Sequence, residues 1–113
     1  MSKSHKSITP FAQSLQEAVE TLHSLGELEP AVVAAAETVL TSLRNGGKLL
    51  FCGNGGSAAD SAHMATEFTC RFMGDRRPYP GIALTADGGL LTAIGNDYAF
   101  QDIFSRQVRA YGK

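Results

Sequence analysis

The chain has 113 residues, a hydrophobic share of 43% and a formal net charge of −1. These values are typical of one globular domain with a modest core, and the nearly neutral charge argues against nucleic acid or a membrane surface as the partner. No apolar run approaches the roughly 20 residues that span a bilayer, and Met1–Lys6 leads into no apolar secretory segment. We therefore expect a cytoplasmic protein. In that reducing compartment Cys52 and Cys70 are expected to be free thiols that behave as small, buried or partly buried hydrophobes.

Residues 1–46 have the pattern of a helical hairpin. Thr9 and Pro10 fit an N-cap and a first helical position, apolar residues then recur at helical spacing, and Gly26 ends the run. A second amphipathic helix is predicted over 30–44. A sheet of one or two strands cannot cover both helices, so part of their apolar surface is expected to contact another subunit; packing wholly within the domain fits the pattern equally well.

Residues 47–113 alternate between strand and helix patterns, which predicts the α/β class with a parallel sheet. Strands are predicted in the apolar runs 48–52 and 82–85, and helices over 57–72, 90–94 and 102–111. Glycine-rich turns are predicted at 87–89 and 95–97. Together these segments form the βαβα portion of a single domain that covers the whole chain.

A glycine-rich segment joins the first predicted strand to the helix that follows it. In Gly53-Asn54-Gly55-Gly56-Ser57, the glycines allow the backbone to approach a ligand closely, and the helix start presents unpaired N–H groups. Ser57 is predicted to be the N-cap, with Asp60 three residues later in a capping-box-like spacing. The segment therefore predicts an anion site, and a phosphate is the expected anion.

Four ionisable residues lie along one edge of the same predicted helix. At 100° per residue, Asp60, His63, Glu67 and Arg71 fall within an arc of about 80°. An ordinary solvated face with i,i+4 pairs also fits this spacing. The position favours a functional role, because a ligand held by its phosphate at the glycine-rich segment would extend along these side chains.

His63 and Glu67 could also bind one divalent metal ion from a single helix face. Two ligands do not complete a metal site, and further donors must come from elsewhere. His5 in the N-terminal tail and His23 in the first helix are poorly placed to supply them. Alternatively, Glu67 could transfer a proton to or from a substrate C–H or O–H group.

The residues that carry these patterns resemble a known family. The segments 51–57 (FCGNGGS), 94–97 (IGND) and 102–106 (DIFSR), with the His63, Glu67 and Arg71 set, look like sedoheptulose 7-phosphate isomerases, also called phosphoheptose isomerases, of the sugar isomerase (SIS) superfamily. The resemblance implies a flavodoxin-like parallel sheet flanked by helices, and a homotetramer whose N-terminal helices pack together, with active sites between subunits. It also implies the interconversion of sedoheptulose 7-phosphate and D-glycero-D-manno-heptose 7-phosphate for the heptose of lipopolysaccharide.

The resemblance also implies roles for individual residues. Those that match substrate-binding positions are Asn54, Gly55, Gly56, Glu67, Asn96 and Asp97. His63 and Glu67 match two zinc ligands, and Glu67 matches a catalytic acid/base that would move a proton through an enediol. On physical grounds, Ser57 is added as a phosphate donor and Arg71 as a charge partner.

The sequence ends at Lys113, whereas such isomerases continue through further strands, a second phosphate loop and the remaining zinc ligands. Two strands are also few for an independent doubly wound sheet, whose edges would stay unpaired. We therefore expect an incomplete sheet, either because the sequence is part of a longer enzyme or because a partner completes it.

Two other classes of function fit parts of the sequence. A non-catalytic SIS module, resembling relatives that bind the replication initiator, would use the fold as a scaffold, but it has no need of the His63 and Glu67 pair. A dinucleotide-binding domain fits the G-x-G-x-x-A spacing of 53–58, with Asp87 as the acidic residue, although Asp87 follows later than the usual spacing of about 20 residues. No GK[ST] follows the glycines, which excludes a P-loop.

Overall fold

The computed structural model describes residues 8–113, which form two compact units, one ending at Glu37 and the other covering Thr38–Lys113. The helices are α1 (Pro10–Ser24), α2 (Glu29–Arg44), α3 (Gly56–Thr69), α4 (Gly88–Asp97) and α5 (Ser105–Tyr111). The strands are β1 (Leu49–Phe51) and β2 (Gly81–Ala83), and short 3₁₀ turns cover Leu25–Leu28 and Phe100–Asp102. The two units divide within α2.

In the first unit, α1 begins as predicted. Thr9 is the N-cap, its Oγ1 accepts a hydrogen bond from the Ala12 N–H at 3.2 Å, and Pro10 is the first helical residue. The helix ends at Ser24, and a 3₁₀ turn runs through the predicted stop at Gly26. No residue of α1 is buried within the chain, and the same is true of α2. Most apolar side chains of these helices are therefore exposed, whereas Val39 and Leu43 of α2 are half-buried.

The second unit contains a parallel two-stranded sheet, which confirms the predicted α/β class. Leu49 pairs with Gly81, Leu50 with Ile82 and Phe51 with Ala83. Helix α3 connects the two strands and packs on both of them, as expected for a crossover between parallel strands. Beneath this crossover the Phe51 and Phe68 rings lie 5.8 Å apart between centroids.

The buried core of the second unit consists of Ala65, Leu84, Ile94 and Ile103, together with the polar residues Ser61 and Gln107. Both polar residues are satisfied. The Ser61 hydroxyl donates to the Ser57 carbonyl at 2.7 Å, and the Gln107 amide donates to the Leu84 carbonyl at 2.9 Å. The second bond ties α5 to the end of β2.

The two cysteines correct the prediction that they are buried hydrophobes. Both are free and both are exposed. The reason is their place in the chain: Cys52 comes after the last residue of β1, and Cys70 comes after the last residue of α3. Neither side chain therefore belongs to a regular element that packs into the core.

Among the described residues, no helix has both the length and the apolar character that crossing a membrane requires.

Candidate functional site

The glycine-rich segment between β1 and α3 is the first part of the candidate site. A Cβ on Gly53 would lie 2.6 Å from the Cβ and carbonyl oxygen of Ser57, so only glycine fits there. Gly55 has φ +57° and ψ −124°, a conformation that residues with a side chain rarely adopt. These two glycines allow the chain to turn directly from the strand into the helix.

Some backbone N–H groups of this segment form hydrogen bonds within it and others do not. The Ser57 N–H donates to the Asn54 carbonyl at 3.0 Å and the Ala58 N–H to the Gly55 carbonyl at 3.1 Å. In the described part of the chain, the N–H groups of Gly55 and Gly56 donate no backbone hydrogen bond. Because a helix N-terminus is electropositive, these two N–H groups are the natural contacts for an anion.

The start of α3 corrects the prediction for Ser57. The N-cap is Gly55, without a side-chain hydrogen bond, and Ser57 is the second helical residue. The left-handed conformation of Gly55 lets the helix begin before Ser57, so Ser57 and Asp60 do not form a capping box. Ser57 remains exposed at the first turn.

His63 and Glu67 form the second part of the candidate site. Nε2 of His63 lies 2.9 Å from Oε1 of Glu67, with side-chain exposures of 74% and 27%. The helix brings the two side chains together because residues four apart lie on the same face. At 100° per residue, both lie within about 20° of the helix line that starts at Gly56, and His63 is about 10 Å along it.

The predicted partner of Glu67, Arg71, lies outside the helix, because α3 ends at Thr69. Cys70 leaves the helical conformation with φ −88° and ψ −91°, so Arg71 no longer follows Glu67 by one turn. Within residues 8–113 the basic side chain that contacts the Glu67 carboxylate is His63. Arg71 therefore forms no i,i+4 pair with Glu67 in the described residues, and its role as a charge partner stays a prediction. Asp60 is exposed and takes part in no ion pair of the described residues.

Sequence reasoning missed Arg76, the arginine that does contact this helix. Its guanidinium donates to the carbonyl oxygens of Glu67 and Phe68, the latter at 2.9 Å. The sequence offers a signal for Arg76: it is a basic residue that follows a helix end without a glycine cap. Basic side chains in such places often bind the last carbonyls of the helix.

Asn96 and Asp97 lie in the last turn of α4, which corrects the predicted bend at 95–97. The burial of Ile94 and the N-cap at Asp87 extend this helix over Gly88–Asp97. The Asn96 side-chain amide donates to Oδ1 of Asp97 at 3.0 Å, and both residues are exposed. The described contacts do not bring them to the glycine-rich segment.

Glu67 also lines a groove of about 580 Å³ beside the second half of α3. The groove is lined by Val39, Leu40, Leu43, Arg44, Met64, Glu67, Phe68, Phe72, Arg76, Arg77 and Tyr79. Its wall is mainly apolar, with arginine side chains at Arg44, Arg76 and Arg77. Glu67 therefore both lines this groove and contacts the imidazole of His63.

A metal ion would find two donors here. Within residues 8–113 no group of three or more His, Cys, Asp or Glu side chains is arranged to hold a metal. His63 and Glu67 supply one imidazole nitrogen and one carboxylate oxygen, which are donor types that zinc takes.

The Asp87 carboxylate, which a dinucleotide-binding interpretation needs for a ribose, is already used within the fold. Its Oδ1 accepts a hydrogen bond from the Leu90 N–H at 2.9 Å and caps α4. The structure therefore disfavours that interpretation.

Comparison with known proteins finds relatives that match most of this chain. The phosphoheptose isomerase of Rhodospirillum rubrum is 53% identical over 98 residues, which is 87% of this chain and 52% of that protein. The phosphoheptose isomerase of Dechloromonas aromatica is 47% identical over 106 residues, or 93% of this chain and 54% of that protein. The chain thus spans about half the length of the curated relatives it matches.

Solved structures give the same result for the fold. A phosphoheptose isomerase from Neisseria gonorrhoeae superposes with a TM-score of 0.82 at 45% identity, covering 91% of this chain and 53% of that one. One from Francisella tularensis gives 0.79 at 35% identity, covering 94% and 58%. The family model described as SIS domain matches residues 11–113. The predicted resemblance is confirmed: this chain belongs to the SIS domain family.

Proposed function

We propose that this chain carries the first part of the active site of an aldose–ketose isomerase that converts sedoheptulose 7-phosphate to D-glycero-D-manno-heptose 7-phosphate for lipopolysaccharide heptose. The observation that carries the proposal is the placement of the His63–Glu67 pair on the helix face that begins at the glycine-rich segment. Relatives named phosphoheptose isomerase, 47% to 53% identical, support the substrate.

The substrate phosphate binds at the start of α3. The free N–H groups of Gly55 and Gly56 donate to its oxygens, Asn54 and the exposed Ser57 add polar contacts, and no Cβ obstructs the approach. Asn96 and Asp97 are assigned to the sugar hydroxyls through the family resemblance. The sugar chain then extends along α3 toward His63, which lies about 10 Å away along the axis.

Glu67 transfers the proton. Its carboxylate removes the proton from the carbon beside the substrate carbonyl and returns it to the former carbonyl carbon, while a second proton moves between the two substrate oxygens through the enediol. The Glu67 side chain is suited to this task because, at 27% exposure, it is partly shielded from solvent yet still reachable by a substrate. Glu67 is therefore the catalytic residue of the proposal.

His63 and Glu67 are also proposed as ligands of one zinc ion, with the remaining ligands supplied from outside the described residues. Zinc bound there would supply positive charge that stabilises negative charge on the substrate oxygens. His63→Ala is expected to lower the zinc content of the purified protein, measured by atomic absorption. An unchanged zinc stoichiometry would remove His63 from the ligand set.

The proposed assembly is a homotetramer in the cytoplasm, formed through the N-terminal helices. Its support is that α1 has no buried residue and carries the exposed apolar side chains of Phe11, Leu15, Val19 and Leu22. An exposed stripe of this kind is typical of an interface. Sedimentation of the purified protein tests the assembly, and a monomer at micromolar concentration would contradict it.

Turnover of sedoheptulose 7-phosphate, measured together with the intact mass of the native gene product, tests the activity. Product formation by that protein supports the isomerase. Binding of the sugar phosphate without turnover would instead support the non-catalytic SIS module.

A further inference from the structure

The C-terminal end of α3 is closed by the segment that follows it. The Cys70 N–H donates to the Thr66 carbonyl at 2.8 Å, and the Tyr79 N–H donates to the Phe68 carbonyl at 3.0 Å. The Arg76 guanidinium adds two contacts, donating to the Phe68 carbonyl and, through its other terminal nitrogen, to the carbonyl of Glu67. The last carbonyls of a helix have no partner within it, so these contacts replace a glycine cap.

Arg76 is itself held in place. Its guanidinium lies over the Tyr79 ring, 4.8 Å from the centroid, and also donates to the Arg77 carbonyl at 3.1 Å. A planar guanidinium presents several N–H groups in a fixed fork, which allows one side chain to bind several carbonyls while stacking on a ring. The helix end at Glu67 is therefore attached to a preorganised side chain.

The Arg76 guanidinium forms no ion pair with the Glu67 carboxylate in the described residues. Among residues 8–113 the carboxylate of Glu67 contacts the His63 imidazole, whereas Arg76 contacts the Glu67 main chain. Arg76 and Glu67 line the same groove. This arrangement fixes the residue while leaving its carboxylate free for His63 and a substrate.

We propose that Arg76 is a positioning residue for Glu67: by binding the main chain at the end of α3, it sets the direction in which the carboxylate meets His63. The link to catalysis rests on the proposed function. Arg76 touches no reacting atom in this scheme, and it acts through Glu67.

The test compares Arg76→Ala and Arg76→Lys with Arg77→Ala in the full chain. Arg77 is a matched control, because its guanidinium lies over the same Tyr79 ring at 4.9 Å and lines the same groove but donates no hydrogen bond to α3 in the described structure. The readout is the ¹⁵N signal of the His63 imidazole at fixed pH in the metal-free protein, where it reports the 2.9 Å contact with Glu67. Glu67→Ala gives the signal of the broken contact.

Arg76→Ala is expected to move the His63 signal at least halfway toward that of Glu67→Ala. Arg76→Lys should move it less, since an ammonium reaches one carbonyl rather than two, and Arg77→Ala should leave it in place. Hydrogen exchange of the last amides of α3 should accelerate in Arg76→Ala. If the His63 signal is unchanged in Arg76→Ala, even with faster hydrogen exchange, Arg76 only caps the helix and the proposal is overturned. If Arg76→Ala does not fold, the His63 signal of Arg76→Lys is used for the same decision.

Kinetics separate this inference from the proposed function. If the wild-type protein isomerises the sugar phosphate, Arg76→Ala should lower kcat about tenfold with little change in KM, as for other supporting residues of a site. A wild-type protein without turnover would contradict the isomerase, while the imidazole signal would still decide whether Arg76 orients Glu67.

Discussion

Helix α3 begins and ends in different ways. At its start, Gly55 is the N-cap without a side-chain hydrogen bond, and the N–H groups of Gly55 and Gly56 donate no backbone hydrogen bond in the described structure. At its end, Arg76 and the Tyr79 N–H bind the last carbonyls, and the Thr69 hydroxyl donates to the Gly81 carbonyl at 2.8 Å.

The two ends of α3 therefore suit different tasks: the start can bind a ligand, and the end is held rigid. Unpaired N–H groups at the start of a helix can bind an anion, whereas hydrogen bonds to the last carbonyls hold the side chains of the last turns in place. Glu67 lies near the closed end and His63 one turn before it. The open end thus suits binding, and the closed end suits the chemistry.

The largest effect is expected from Glu67→Gln, which removes the proton acceptor near the closed end. Proton exchange at the substrate carbon should fall by about 10²–10⁴-fold, because general acid–base catalysis contributes this much. Phosphate affinity should stay nearly unchanged, since the anion binds at the other end of α3. Deuterium incorporation into sedoheptulose 7-phosphate, followed by NMR, measures the exchange.

Asp60→Asn is the matched control, since this exposed carboxylate lies on the same helix, nearer the open end, and pairs with no basic residue of the described chain. It should exchange protons at the wild-type rate. Equal losses of the proton-exchange rate in both variants would mean that the rate depends on the negative charge of α3 and not on the position of Glu67.

Gly53→Ala tests the open end. The new Cβ would lie 2.6 Å from the carbonyl oxygen of Ser57, so the first turn of α3 must shift, and we expect a loss of about 2 kcal/mol in the free energy of unfolding. Phosphate affinity should fall as well. Urea denaturation and phosphate titration measure the two effects.

Gly56→Ala is the control for this clash, because a Cβ at Gly56 meets no atom within 4 Å and its φ is not positive. It should unfold like the wild type. Similar stability of the two variants would contradict the close approach at Gly53.

Sequence patterns were sufficient for features that depend on local chemistry. The alternation of apolar runs with helical periodicity predicted a parallel sheet, and Thr9 with Pro10 predicted the start of α1. The pairing of His63 with Glu67 followed from helical geometry alone, because residues four apart share a face.

The errors arose where distant contacts decide the outcome. Helix α3 was predicted to continue to Phe72, but the Thr69 hydroxyl bonds to the strand at Gly81, and Arg76 binds the helix end from a loop. The packing of Ile94 in the core likewise kept Asn96 helical despite its turn propensity. Such contacts join residues that no local pattern relates.

Asp87→Ala tests a helix start that has a side-chain cap, in contrast to the start of α3. Unlike α3, helix α4 has a side-chain cap, the 2.9 Å bond from the Leu90 N–H to Asp87. Its loss should cost about 1 kcal/mol in the free energy of unfolding, measured by urea denaturation. Asp87→Asn keeps an acceptor oxygen and should retain most of the stability; an equal loss in both would show that the charge, not the cap, stabilises α4.

The smallest effect is expected from Thr69→Val, which removes the hydroxyl that ties the closed end of α3 to β2. The side chain is exposed, so the loss should be about 0.5–1 kcal/mol in the free energy of unfolding. Thr66→Val is the matched control, since its hydroxyl donates at 2.7 Å only to the His63 carbonyl of the same helix. Because both substitutions exchange one β-branched residue for another, the difference between them isolates the bond to the Gly81 carbonyl. Equal unfolding free energies would mean that this bond adds nothing, and that Arg76 and the Tyr79 N–H alone close the helix end.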